Sequence, residues 1–262
     1  MGIAFLAWFS SIVFLVFVPL IVGIPYIVYL VSKGATLDGP TLLQDKTFLF
    51  IQIASVIPAH VFTLLVVWLL VARRGKSSFI EALKITWPPK VGWLQGVGIC
   101  SAVAIMLLAL GFVITKYLGG GKTELDALIE SSFSARLATA FLAVATAPLV
   151  EEVIYRGMLY PAIQRLLGMG WAVLVVAIMF AMVHVWQYRN NIGVILVITI
   201  LSVVLTLVRA WTDRLLPSIV IHTIFNGLQS LFLVLQPFVE KPEKIEPAPT
   251  FIILFKAIRF LF

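Results

Sequence analysis

Seven apolar runs, each close to or above the length of a membrane crossing, follow one another along this 262-residue chain and leave little room for any other kind of fold. A helix needs about 20 apolar residues to traverse about 30 Å of hydrocarbon, and only helices or closed barrels satisfy every backbone group there. The runs are 1–31, 47–72, 91–115, 137–150, 166–188, 190–208 and 215–239. A last stretch, 250–262, is interrupted by Lys256 and Arg259 and reads as a short eighth span or an interfacial helix. The chain is 61% hydrophobic and 12% charged with a mean hydropathy of +1.09, whereas a soluble domain carries about 25% charged residues. There is too little polar material to cover its outside, so lipid is the solvent for much of it. These figures exclude a cytosolic enzyme, a disordered tail and a disulfide scaffold, and the single cysteine, Cys100, cannot form an internal disulfide.

The expected fold is therefore all-α: a polytopic bundle of seven to eight transmembrane helices in one membrane domain. Within it, residues 1–135 supply three spans with polar loops, 136–233 a helical core, and 234–262 a linker and apolar tail. The net charge of +7 is thinly spread between apolar runs, which points to lipid headgroups rather than nucleic acid. The segment 73–90 holds Arg73, Arg74, Lys76, Lys84 and Lys90 against Glu81 alone, which places it and the amino terminus in the cytoplasm. The first run is too long for a signal-peptide core and reads as a retained anchor, with Pro19 and Pro25 predicting a kink or break.

Ionisable residues inside a membrane usually line a cavity and have a function. Here they gather in the second half: Glu151, Glu152 and Arg156 on the fourth span, His184 on the fifth, His222 with Asn226 on the seventh. Phe180 and His184 are four residues apart, as are His222 and Asn226, so each pair shares a helix face. Glu152 and Arg156 have the same spacing, the acid on the amino-terminal side, and form an ion pair that fixes helices. Glu151 points about 100° away and stays free to titrate. The breaker Gly168-Met169-Gly170 lies nearly midway between Glu151 and His184, so a fold-back there brings both to similar depth. The depth of His222, only about eight residues past a loop, does not follow from the sequence. A carboxylate in a low-dielectric cavity can accept a proton from water, an imidazole can hold that water, and paired donors on one face can stabilise an oxyanion.

Three motifs carry a family resemblance. Glu151-Glu152-Val153-Ile154-Tyr155-Arg156 fits EExxxR, Phe180 to His184 fits FxxxH, and His222 to Asn226 fits HxxxN. In this order, each on an apolar span, they resemble the CPBP family (CAAX proteases and bacteriocin-processing proteins), over residues 136–233. The resemblance implies an eight-helix fold with a central cavity and a metal-free glutamate endopeptidase mechanism without a cofactor. It implies Glu151 as activator of water with His184, and His222 with Asn226 as the oxyanion site. Glu152, Arg156 and Phe180 would support them. The implied partner, besides membrane lipid, is a membrane-associated or lipidated peptide, and a compact chain fits a bacterial plasma-membrane member. The family also includes scaffold and bacteriocin-immunity members, which leaves non-catalytic binding in the same cavity as the alternative.

Other readings are weaker. A metallopeptidase would need HExxH or a related spacing, which is absent, and a proton-coupled transporter would need inverted repeats. His60, in the second span without a motif partner, reads as structural or interfacial. Arg209 and Asp213 read as a surface ion pair, and Gly121-Lys122-Thr123 as a chance match to a phosphate loop. Trp87, Trp93, Trp171, Trp186 and Trp211 near span ends read as an aromatic belt.

Overall fold

A computed structural model describes residues 1–35, 42, 44–72 and 78–239. Among the described residues all regular structure is helical: α1 Gly2–Ser32, α2 Lys46–Ala54, α3 Val56–Val71, α4 Phe79–Leu83, α5 Trp93–Leu118, α6 Glu124–Glu130, α7 Phe133–Phe141, α8 Ala147–Glu152, α9 Tyr160–Tyr188, α10 Ile192–Thr212 and α11 Leu216–Val239. Two π-helical turns, Leu142–Thr146 and Val153–Leu159, join α7 to α8 and α8 to α9. Helix starts follow local chemistry. Asp45 accepts from the Thr47 and Phe48 amides, Ser132 from Ala135 and Asn191 from Val194, each cap contributing about 1 kcal/mol.

Six helical stretches are long and apolar enough to cross a membrane, and the longest, Phe133–Tyr188, is a pair. Gly168, at φ 79 and ψ 173, lies where only glycine is comfortable and breaks it in two. The Tyr155 and Phe180 rings, on either side of the break, lie 5.0 Å apart. The chain thus makes seven crossings over the described residues and is an integral multi-pass membrane protein. The expected eighth span lies outside the described residues. Two sequence expectations change in detail. Pro19 and Pro25 sit within an unbroken α1, whereas the second span is interrupted at Ser55, which ends α2 and precedes α3.

Among the described residues the bundle has two large buried clusters besides a small one of Ile53, Ala135 and Leu142. One joins α1, α3 and the fourth and fifth spans through Ala7, Val67, Ile154, Leu159 and Phe180. The other joins α5, α10 and α11 through Ala104, Leu108, Leu201, Leu205 and Phe225. At one end, Lys84 pairs with Asp213 and its carbonyl accepts from the Leu215 amide at 2.9 Å. Arg209, expected at the surface, is buried and reaches Asp213 at 3.0 Å. At the other end, a Cβ on Gly120 would sit 2.0 Å from the Asn190 carbonyl oxygen and one on Gly193 2.9 Å from that of Leu118, so the end of α5 and the start of α10 touch backbone to backbone. Thr123, in the supposed phosphate loop, forms a capping box with Asp126 and simply starts α6. Trp93, Trp171, Trp186 and Trp211 face outward as a belt requires, while Trp87 folds over Gly96.

Candidate active site

The second half of the chain brings its intramembrane polar residues into one place. Glu152 is buried completely and takes hydrogen bonds on Oε1 from Arg156 Nη1 and His222 Nδ1, both at 2.9 Å. Arg156, equally buried, spends the rest of its fork on α10: Nε donates to Thr206 Oγ1 at 3.1 Å, and Nη2 to the Ser202 carbonyl and hydroxyl at 2.9 and 2.7 Å. An intact fork of this kind makes a buried ion pair tolerable, because few of its protons are left unpaired. The pair expected between Glu152 and Arg156 is present, and it fixes three helices rather than two. Ser202 and Thr206, missed in the sequence, were signalled by two hydroxyls four residues apart on an otherwise apolar run.

Glu151 faces elsewhere, as its angular offset requires. Its side chain is 25% exposed, and Oε2 lies 3.7 Å from His222 Nε2. His222 is therefore held between two carboxylates, which settles the depth that the sequence left open. With Nδ1–H donated to Glu152, neutral His222 has only a lone pair at Nε2, so Nε2 donates only in the imidazolium form. His184 Nδ1 lies 2.8 Å from the Phe180 carbonyl, which can only accept, so Nδ1 carries the proton and Nε2 is free to accept from water. Phe180 wedges these groups apart. Its ring centre lies 4.8 Å from that of His184, 6.1 Å from that of His222 and 4.8 Å from the Arg156 guanidinium carbon.

Asn226 donates through Nδ2 to the Ala143 carbonyl at 2.9 Å. Ala143 belongs to the first π-helical turn, where the widened ladder disturbs regular carbonyl pairing. One amide proton is thus committed to scaffolding and one remains. A cavity of about 410 Å³ collects Glu151, Phe180, His184, His222 and Asn226 on its wall. It extends past Gln187, Tyr188 and Gln229 to Leu128 of α6, between apolar walls from Ile53, Val56, Leu142, Val197 and Leu201. Among the described residues no three of His, Cys, Asp or Glu are disposed to hold a metal ion. His60 does have a partner: Nδ1 lies 2.8 Å from Thr146 Oγ1.

Fold and site together define a multi-pass helical membrane protein with a polar cavity sunk among its spans. Residues 133–228, which contain all three motifs, match the family described as Type II CAAX prenyl endopeptidase Rce1-like, so the resemblance read from the motifs holds over that stretch. No curated protein matches the chain. No solved structure matches it.

Proposed function

We propose that this protein is an intramembrane endopeptidase in which Glu151 activates water against a peptide bond of a membrane-associated or lipid-modified substrate. The observation that carries this reading is the division of labour between adjacent carboxylates. Glu152 is consumed by Arg156 and His222, whereas Glu151 faces the cavity within reach of His222 Nε2. In the proposed reaction, water donates one hydrogen to His184 Nε2 and loses the other proton to Glu151 as its oxygen bonds to the substrate carbonyl carbon. The oxyanion receives hydrogen bonds from imidazolium His222 and from the remaining Asn226 amide proton. Collapse breaks the C–N bond, and Glu151 returns its proton to the leaving amine. Among the described residues the cavity wall carries no acidic or basic side chain besides Glu151 and the two histidines, so an uncharged apolar segment suits it, with Gln187 and Gln229 as partners for its backbone.

For orientation, the end that carries Lys84, Lys90, Arg165, Arg209 and Arg214 is placed in the cytoplasm with the amino terminus. The cavity then opens towards the outer face, where α6 lies. The test is cleavage of quenched fluorescent transmembrane peptides by protein reconstituted in phospholipid vesicles. Wild type cuts, and Glu151→Gln loses turnover by at least about 1,000-fold while unfolding at the same temperature. Cleavage that survives Glu151→Gln overturns the proposal. A wild type that binds these peptides without cutting them favours the scaffold reading.

A further inference from the structure

We propose that the cavity also opens sideways into the lipid, through the seam between α2 and α7, and that a transmembrane helix of the substrate docks in the groove outside that seam. A groove of about 380 Å³ lies between the two helices. Half-buried Ala54 and Ala138 with buried Leu142 form its floor, and exposed Phe50 and Phe141 flank it. Leu142 also lines the cavity that holds Glu151, so groove and cavity back onto the same side chain.

What separates the two spaces is the small cluster at the seam. Ile53 of α2 packs on Ala135 and Leu142, with Val56, Leu128 and Ala138 beside them, and all six are apolar. In a bilayer, parting such side chains costs little hydrophobic energy, because lipid tails are as apolar as leucine. The hydrogen bonds of α2 run to α1 instead: Gln52 Nε2 donates to the Pro19 carbonyl at 3.2 Å, and the Tyr26 hydroxyl to the capping carboxylate of Asp45 at 3.1 Å. Gly23 permits the first of these, since a Cβ there would lie 2.6 Å from Gln52 Nε2. Ser55 separates α2 from α3, so α2 can tilt about its ties to α1 while α3 stays packed. The other walls are closed by polar links. Arg156 joins the fourth span to α10, and Glu152 and the Ala143 carbonyl join it to α11. Opening there would strand buried charge, so the α2–α7 seam is the wall that parts most easily.

The groove also selects its occupant. Small residues at its floor let the backbone of another helix approach closely, and the flanking rings fit between the ridges of that helix. An extended peptide would leave its amides unpaired against these apolar walls, whereas a helix satisfies its own. Continuity with the cavity marks the docked helix as substrate: a bond freed by local unwinding passes Ile53 and Leu142 and meets Gln187 and Gln229 inside.

The inference takes from the proposed function only that the substrate is embedded in the membrane, and its test reads binding rather than cleavage. Full-length Glu151→Gln protein in phosphatidylcholine vesicles carries in addition Phe50→benzoylphenylalanine, Phe141→benzoylphenylalanine or, as control, Ile105→benzoylphenylalanine on α5, a position as exposed as Phe141. The probe is the transmembrane peptide used for cleavage. On illumination, positions 50 and 141 are expected to capture at least about tenfold more peptide than position 105, and excess unlabelled peptide to abolish the difference. Should one groove variant fail to fold, the other decides. Equal capture at all three positions reflects chance collision in the bilayer and overturns the inference, as does labelling of phospholipid alone at both groove positions whatever the peptide concentration. Saturable capture in the groove by a protein whose wild type cuts nothing leaves the docking site standing and removes only the peptidase reading. Cleavage by wild type without capture in the groove does the reverse.

Discussion

Arg156 shows how one side chain makes the site possible. Its guanidinium closes the fourth span onto α10 and neutralises Glu152, which in turn fixes His222. Arg156→Met strips the guanidinium from the buried Glu152 carboxylate and costs roughly 3–5 kcal/mol, seen as a lowered thermal unfolding transition in detergent. An unchanged transition would show that the pair carries no such weight. The relations legible in the sequence were those that helical periodicity imposes: Glu152 with Arg156, Phe180 beside His184, His222 in line with Asn226. Contacts between spans were not legible. Nothing in local spacing joins His222 to Glu152, or His60 to Thr146, because those pairs are set by which helices pack together. Asn226 was read as a free donor because no local signal marks the π-helical turn whose carbonyl claims half of its amide.

Among the elements, the break at Gly168 sets the depth of His184 relative to Glu151. A Cβ there would meet nothing within 4 Å, so the residue is needed for its backbone angles alone. Gly168→Ala is accordingly expected to cost about 1–3 kcal/mol in unfolding experiments, with no new clash to relieve. The sequence identified this turn because two glycines flank Met169 between apolar runs. It missed the interruption at Ser55, which has no glycine and is held by packing. A second element-level device is the clip between the end of α4 and the α10–α11 loop. Asp213 lies outside the spans, and Lys84 beside it, with Arg209, holds its carboxyl below the ordinary value of 3.8. Since the folded form is the better acid, this clip stabilises the protein above the ordinary carboxylate range, and its contribution is lost as pH falls through the depressed value. Unfolding of wild type and Asp213→Asn should differ at neutral pH and converge in strong acid. A difference that grows on acidification would contradict this sign.

For the molecule as a whole, seven crossings were legible because the cost of burying backbone and charge in lipid leaves few alternatives. The sequence could not show where the cavity opens, which depends on how seven helices surround it. The fold ties Arg165, Arg209 and Arg214 to the same end as the basic segment before α5, and carries the cavity from Glu151 towards the opposite end. Two single cysteines test this arrangement, since the native Cys100 is buried. With a membrane-impermeant thiol reagent on intact cells, Gln229→Cys should react and Lys90→Cys should react only after lysis. Labelling of both from one side would contradict it. In the proposed reaction Glu151 draws a proton from water, and this water, not the carboxylate, attacks the peptide. Single-turnover cleavage in oxygen-18 water tests it by mass spectrometry of both product and protein. Heavy oxygen is expected in the new carboxyl terminus of the peptide and none in the Glu151 side chain; label in Glu151 would make the carboxylate the nucleophile and rule out direct attack by water.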